Sequence, residues 1–137
     1  MINYKFNIEE KEFLKICDLY KIAGWWKESC SSDQISKLIS GSFSFLTAWN
    51  EDKLVGFGRV ISDGFNDAYI QDVYVDENYR KQGVAGTIIS KLAEYCNSKK
   101  INWIALIAAP GSVTMYEKLG FEKMINHTPM QFQKKSD

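Results

Sequence analysis

A strand, a long helix and a second strand follow one another through the middle of this sequence. The helix is predicted from apolar residues that recur at helical spacing and form one stripe: Ala85, Ile89, Leu92, Ala93 and Cys96. Trp103–Ala108 is then a continuous apolar run, typical of a strand that is covered on both faces. Since two parallel strands need a long crossover connection, Tyr69–Ala108 is expected to form a right-handed crossover with parallel pairing.

The segment before this crossover has the pattern of antiparallel strands. Phe43–Trp49 and Leu54–Ile61 flank the polar turn Asn50–Asp52, and the turn Ser62–Gly64 leads into Ala68–Val75. The third of these strands is expected to present two faces, Tyr69, Gln71, Val73 and Val75 on one and Ile70, Asp72 and Tyr74 on the other. The pattern predicts a three-stranded antiparallel meander.

Two helices are expected before the meander. The first spans about Ile8–Tyr20 with Asn7 as its N-cap. The second has Ser32 as its N-cap and ends at Gly41 in a left-handed conformation. The irregular link between them contains two adjacent tryptophans. These elements indicate an α+β (mixed αβ) fold around one sheet.

The chain ends with weaker signals. Ser112 is expected to cap a short helix that ends before Gly120, and terminal strands are expected near Phe121–Met124 and Pro129–Gln133. No linker or repeat interrupts the pattern, and 137 residues is the length of one domain, so residues 1–137 are expected to form a single domain.

Composition narrows the possible partners. The 17 basic and 17 acidic residues give a formal net charge of zero, which argues against nucleic acid or an acidic membrane as the main partner. No apolar stretch has the length of a membrane span, and the first residues lack the apolar core of a signal peptide. The protein is expected to be cytoplasmic.

The cysteines and the histidine predict neither a metal site nor a disulfide framework. The sequence has three cysteines, Cys17, Cys30 and Cys96, which is an odd number and includes no CxxC pair. His127 is the only histidine. Cys30 is therefore interpreted as a small apolar residue or a surface thiol. We expect no bound metal.

Asn78–Thr87 is the segment with the strongest chemical signal. A helix start favours acidic side chains, yet this one carries Arg80 and Lys81, and Gly83 and Gly86 cost about 1 kcal/mol each relative to alanine in a helix. Both features fit an anion that docks on the backbone N–H groups. The alternative is a glycine-containing loop with solvated basic residues. The spacing matches neither a dinucleotide fingerprint nor a Walker loop.

These residues resemble a known family. Arg80-x-x-Gly83-x-Ala85 looks like the Q/R-x-x-G-x-G/A signature of the GNAT superfamily of acyl-CoA-dependent N-acyltransferases. Tyr74–Arg80 resembles the strand and turn before that signature, and Met115–Phe121 resembles the family's "YxKLGF" segment. The resemblance extends over nearly the whole chain and is strongest from Ala68 to Phe121.

The resemblance implies a fold and a co-substrate. The fold is a central mixed sheet of six to seven strands, an antiparallel meander followed by a splayed parallel pair, with about four flanking helices. The co-substrate is acetyl-CoA, and relatives are often homodimers. The implied coenzyme contacts are Val73, Tyr74, Val75, Arg80, Gln82, Gly83, Val84, Ala85, Gly86, Thr87 and Ser112.

The resemblance also implies catalytic roles. Tyr116 holds the position of the family's general acid, although its spacing from Val113 and Leu119 also fits a core aromatic residue. Asp72 lies where relatives place a general base, and the alternative is an exposed strand carboxylate. The chain departs from the family pattern at Ala109, where members often carry Asn, and at Ser112, where they often carry Ala.

The acceptor pocket is expected between the first two helices, their link and the meander. Trp25, Trp26 and Trp49 are candidates for its wall, or alternatively plugs over the core. The expected activity is transfer of an acetyl group from acetyl-CoA to a primary amine of a small molecule or an accessible peptide, without a covalent enzyme intermediate. The alternative is a non-catalytic acyl-CoA sensor. The sequence does not name the amine.

Overall fold

The computed structural model describes residues 1–26 and 29–133. These residues form two compact units, Met1–Leu106 and the residues from Ile107 onward, which are considered separately below. Among the described residues no helix is both long enough and apolar enough to cross a membrane.

The first unit is built on a mixed sheet whose strands lie side by side in chain order. Within the described residues the five strands are β1 (Asn3–Lys5), β2 (Ser44–Asn50), β3 (Lys53–Ser62), β4 (Asp67–Val75) and β5 (Trp103–Ala105). All neighbours pair antiparallel except β4 and β5, which are parallel. The meander and the parallel pair are confirmed. The three-residue β1 was missed because it is too short to show a period.

The last strand of this sheet is shorter and more exposed than expected. β5 ends at Ala105, and the run to Ala108 is not covered on both faces, because Trp103 is 39% and Ile107 is 73% exposed. Its pairing reaches only Asp67–Tyr69 of β4. The remainder of β4, towards Val75, therefore extends beyond β5.

Three helices accompany the sheet, with boundaries that differ from the prediction. They are α1 (Phe13–Ile22), which follows a 3₁₀ turn at Glu10–Glu12, α2 (Ser32–Ser40) and α3 (Val84–Ser98). The predicted N-cap at Asn7 is wrong, since Glu12 Oε1 accepts the Glu9 N–H at 3.0 Å instead.

The two ends of α2 also correct the prediction. Ser31, not Ser32, caps the helix, and its hydroxyl accepts the Gln34 N–H at 3.3 Å. Gly41 is right-handed, with φ −82°. The helix therefore ends without a left-handed residue.

Apolar side chains hold these elements together on both faces of the sheet. On one face, α1 and α2 bury Ile16, Tyr20 and Ile35 in one cluster with Phe45 and Phe57 of the sheet. On the other, α3 packs against β3 and β4. The sheet is thus enclosed between α1 and α2 on one side and α3 on the other.

A disulfide joins Cys17 of α1 to Cys30, just before α2. The expectation of unpaired cysteines is wrong for these two, while Cys96 is a free, buried thiol. Sequence spacing could not show the pair, because the bond depends on how α1 and α2 approach each other.

The second unit contains one short helix within its described residues, α4 (Val113–Lys118). Ser112 stands at its N-cap position but does not cap it, since its hydroxyl donates to the Ala109 carbonyl at 2.6 Å. Gly120 ends the segment with φ +99°, as expected.

The two terminal strands are not formed in residues 121–133. The apolar residues Met124, Ile125, Met130 and Phe132 are exposed. A strand needs a neighbouring strand to complete its ladder, and the described residues of this unit contain none.

Candidate functional site

No side chain of the described residues caps the N-terminus of α3. Gly83 stands at the N-cap with φ +81°, a left-handed conformation that favours glycine, and it carries no side chain to cap the helix. No acidic residue lies in the first turn. The backbone N–H groups there have no capping side chain, which is the arrangement that receives an anion.

The loop before α3 is fixed to the end of β4. The Arg80 Nε donates to the Val75 carbonyl at 2.9 Å, and the guanidinium carbon lies 5.4 Å from the centre of the Tyr74 ring. The hydroxyl of Thr87 donates to the Gly83 carbonyl at 2.9 Å. Arg80 therefore positions the loop through Nε, and its other N–H groups have no hydrogen-bond partner among the described residues.

The structure brings most of the predicted coenzyme residues together. Gln82, whose amide donates to the Asn78 carbonyl at 3.4 Å, stands in the same exposed loop that continues into Val84–Thr87. Val73–Val75 ends β4 immediately before this loop. Ser112 belongs to the second unit.

A bulge interrupts β4 at Asp72. This residue has φ +54°, and the register against β3 shifts between Phe57 and Arg59. A bulge adds one residue to a strand and reverses the faces beyond it. The predicted alternation is therefore wrong after this point: Val73 and Val75 share the α3 side of the sheet with Ile70.

The bulge holds the Asp72 carboxylate between two donors. Its Oδ2 accepts the Tyr20 hydroxyl at 2.9 Å and the Arg59 Nε at 2.6 Å. Burial, and then the nearby Asp72 charge, raise the pKa of Tyr20 far above its ordinary value. Tyr20 therefore remains a donor at neutral pH.

Neither Tyr20 nor Arg59 was singled out from the sequence. Arg59 carried a usable signal, because a charged residue inside the apolar strand Leu54–Ile61 needs a buried partner. The partner itself, Asp72, could not be inferred without the strand register.

A cavity of about 660 Å³ opens beside Arg59, within the size range of small-molecule sites. The described residues that line it are Trp25, Trp26, Ser29, Gln34, Lys37, Leu38, Gly41 and Arg59. These residues belong to the link, to α2 and its C-terminal end, and to β3, whereas none of the described lining residues belongs to α1, which the prediction also included.

Two of the three candidate tryptophans line this cavity. Trp26 stacks on Tyr20 with ring centres 4.4 Å apart, and Trp25 meets the edge of Tyr74 at 5.7 Å. Trp49 instead lies in the core, where its indole N–H donates to Thr47 Oγ1 at 2.8 Å. The Trp pair is thus both packed on the core and open to the cavity.

Tyr116 lies on α4 in the second unit. Its ring is half-buried and meets the edge of Phe121, with ring centres 5.8 Å apart. Burial raises the pKa of Tyr116 above its ordinary value. The phenol is therefore protonated at neutral pH, as a general acid must be.

The described residues contain no cluster of three or more histidine, cysteine or carboxylate side chains able to hold a metal ion.

Comparison with known proteins decides the family. A family model for the acetyltransferase (GNAT) domain matches residues 10–133. The chain belongs to the GNAT family. An uncharacterised N-acetyltransferase, ycf52, of Pyropia yezoensis is 32% identical over 120 residues, which cover 85% of this chain and 67% of that protein. This GNAT chain is thus an acyltransferase, and its match extends over about two thirds of this relative.

Other GNAT proteins agree in sequence and in fold. The chloroplastic GCN5-related N-acetyltransferase 2 of Arabidopsis thaliana is 39% identical over 72 residues, 53% of this chain and 28% of that protein. The crystal structure of an acetyltransferase from Trypanosoma brucei has a TM-score of 0.81 at 19% identity and covers 96% of this chain and 100% of its own. The second of these supports the fold alone.

Proposed function

We propose that this GNAT protein transfers an acetyl group from acetyl-CoA to a primary amine of a small molecule or an accessible peptide, directly and without a covalent enzyme intermediate. The observation that carries the proposal is the open N-terminus of α3, with Gly83 at φ +81° directly after the end of β4. Acetyl-CoA supplies an activated acetyl group as a thioester, and transfer yields an N-acetyl product and the free thiol.

The α3 N-terminus fits the diphosphate of the coenzyme. The N–H groups of Val84, Ala85 and Gly86 are the donors, and the helix dipole adds positive potential. The free N–H groups of Arg80 add a charged donor for a phosphate oxygen.

The free edge of β4 fits the pantetheine arm. Asp76 N–H donates to the Val55 carbonyl at 2.8 Å, so strand alternation turns the peptide groups of Val73 and Val75 to the edge away from β3. The Val75 carbonyl accepts a hydrogen bond from Arg80 Nε, which agrees with its pointing away from β3. The N–H groups of these two residues are the peptide donors we assign to the arm and the thioester carbonyl.

Asp72 is the proposed proton acceptor for the amine. Both described donors bind its Oδ2, and Oδ1 has no hydrogen-bond partner among the described residues. Oδ1 is therefore the atom assigned to receive the proton, directly or through one water. Tyr116 is the proposed donor of a proton to the leaving thiolate.

A non-catalytic acyl-CoA sensor is the second candidate. The observation that favours it is the commitment of Asp72 to Arg59 and Tyr20, a pair of contacts that would also serve a purely structural carboxylate. The two functions differ in one measurement, the release of free thiol in the presence of an amine panel. A sensor binds acetyl-CoA and releases none.

Gly86→Glu tests the coenzyme site. A carboxylate in the first turn of α3 would fill the anion site and repel the diphosphate, so acetyl-CoA affinity should fall at least about tenfold, as a charged group opposite phosphate does. Calorimetric titration with acetyl-CoA measures this affinity. Ser36→Glu, which adds the same charge on the exposed face of α2, is the control. Unchanged affinity in Gly86→Glu would contradict the site.

A further inference from the structure

Positive charge and hydrogen-bond donors predominate among the side chains that line the cavity beside Arg59. The described residues that line it include two cationic side chains, Lys37 and Arg59, and no acidic one. Indole groups such as those of Trp25 and Trp26 can only donate. Such a lining favours a ligand that also carries negative charge over one that carries only an ammonium group.

Gln34 strengthens this donor character. Its amide oxygen accepts the Ser31 N–H at 3.0 Å in the capping box of α2, while the Ser31 hydroxyl accepts the Gln34 N–H. Since the oxygen is occupied, the group that Gln34 can direct into the cavity is its NH₂. The cap of α2 thereby fixes which half of the amide faces a ligand.

Arg59 both lines the cavity and binds the carboxylate of Asp72. Its Nε is bonded to Asp72 and its Nη1 donates to the Ser42 hydroxyl at 3.3 Å. The guanidinium still lines the cavity, and its five N–H donors exceed these two partners. The Asp72 carboxylate is therefore next to the cavity through its bond to Arg59, whereas Lys37 lines the cavity itself.

We propose that the acceptor of this enzyme is an amine that also carries an acidic group, a phosphate or a carboxylate, bound by Lys37, Gln34 and the free N–H groups of Arg59. This inference rests on the proposed function. The ammonium end faces Asp72, and the acidic end lies towards α2. The faces of Trp25 and Trp26 cover the carbon skeleton between the two ends.

Paired probes that differ in the acidic group test the proposal by binding. O-phosphoethanolamine is compared with ethanolamine, and 4-aminobutyrate with butylamine, by tryptophan fluorescence, because Trp25 and Trp26 line the cavity. At least one acidic probe should bind about tenfold more tightly than its neutral partner, as charge-assisted bonds allow. The two pairs show whether phosphate or carboxylate is preferred.

Lys37→Gln locates the acidic group. The change should weaken binding of the acidic probe by about threefold to fivefold, the effect of one exposed ion pair. Binding of the neutral partner should be unchanged. Lys37→Arg should restore affinity. Lys21→Gln is the matched control, since Lys21 is likewise an exposed lysine in the last turn of its helix and does not line the cavity.

Three results would overturn the proposal: equal binding within both pairs, no binding of either acidic probe, or binding that Lys37→Gln does not alter. The readout separates this inference from the proposed function. Selective binding of an acidic probe with no thiol release from acetyl-CoA would leave the acceptor assignment intact and disprove the transferase. Thiol release with neutral amines alone would support the transferase and contradict the acidic acceptor.

Discussion

Asp72 combines an uncommon backbone conformation with two strong side-chain contacts. Its φ of +54° lies in the left-handed region, which aspartate tolerates better than most residues with a side chain. The hydrogen bonds from Tyr20 and Arg59 offset that cost and fix the carboxylate beside Arg59. A single residue thus determines the direction of the following strand and the position of the proposed base.

Tyr116→Phe tests the general acid. Loss of the hydroxyl removes the proton donor while the ring keeps its contact with Phe121, so turnover should fall by about a hundredfold. Acetyl-CoA affinity should stay within about twofold, since the hydroxyl acts on the leaving group. Initial rates of thiol release and a calorimetric titration give the two values.

Tyr69→Phe provides the comparison for that experiment. Tyr69 is 41% exposed on β4, and the same hydroxyl deletion there should leave turnover unchanged. If Tyr116→Phe and Tyr69→Phe turn over equally well, Tyr116 is only a packing residue.

The contact between β3 and α3 depends on the absence of a side chain at Gly58. A Cβ at this position would lie 2.8 Å from Ile88 Cγ2 and 3.1 Å from Leu92 Cδ1. α3 therefore packs directly on the strand backbone. This close approach fixes the helix whose N-terminus forms the proposed diphosphate site.

Gly58→Val should destabilise the first unit by about 1–3 kcal/mol, the usual cost of overpacking a dense core. Gly58→Ala should cost less, because it adds one carbon instead of three and its nearest neighbours are side-chain methyl groups, not backbone. Urea unfolding measures both, with the exposed Ser36→Ala as reference. Equal stability of the valine variant and the wild type would show that α3 does not approach the strand so closely.

Periodicity predicted those elements whose signal is local. The stripe of α3 and the presence of β2, β3 and β4 depend on residues near in sequence, and these elements are confirmed. The bulge at Asp72 and its contact with Arg59 depend on strand register, which no local pattern encodes. The same applies to Trp49, whose place in the core depends on packing against residues of other elements.

At the scale of the molecule, the proposed acceptor cavity is bordered by a covalently closed loop. The Cys17–Cys30 bond joins α1 to the residue before the α2 cap and encloses Trp25 and Trp26. Such a bond restricts the unfolded chain, and it persists only where thiols are kept oxidised. The cytoplasmic location expected from the sequence would keep all three cysteines reduced, whereas the disulfide leaves Cys96 as the free thiol. The number of free thiols in the isolated protein therefore distinguishes the two expectations.

Alkylation and thermal unfolding together test the disulfide. Denatured without reductant, the protein should take up iodoacetamide on Cys96 alone, and after reduction on all three cysteines, as read by mass spectrometry. For a sequence separation of 13, loss of the bond should lower the free energy of unfolding by roughly 3 kcal/mol and Tm by about 10 °C. In Cys17→Ala/Cys30→Ala, reductant should no longer shift Tm. Three alkylated cysteines before reduction would disprove the bond and leave the loop held only by the packing of its tryptophans.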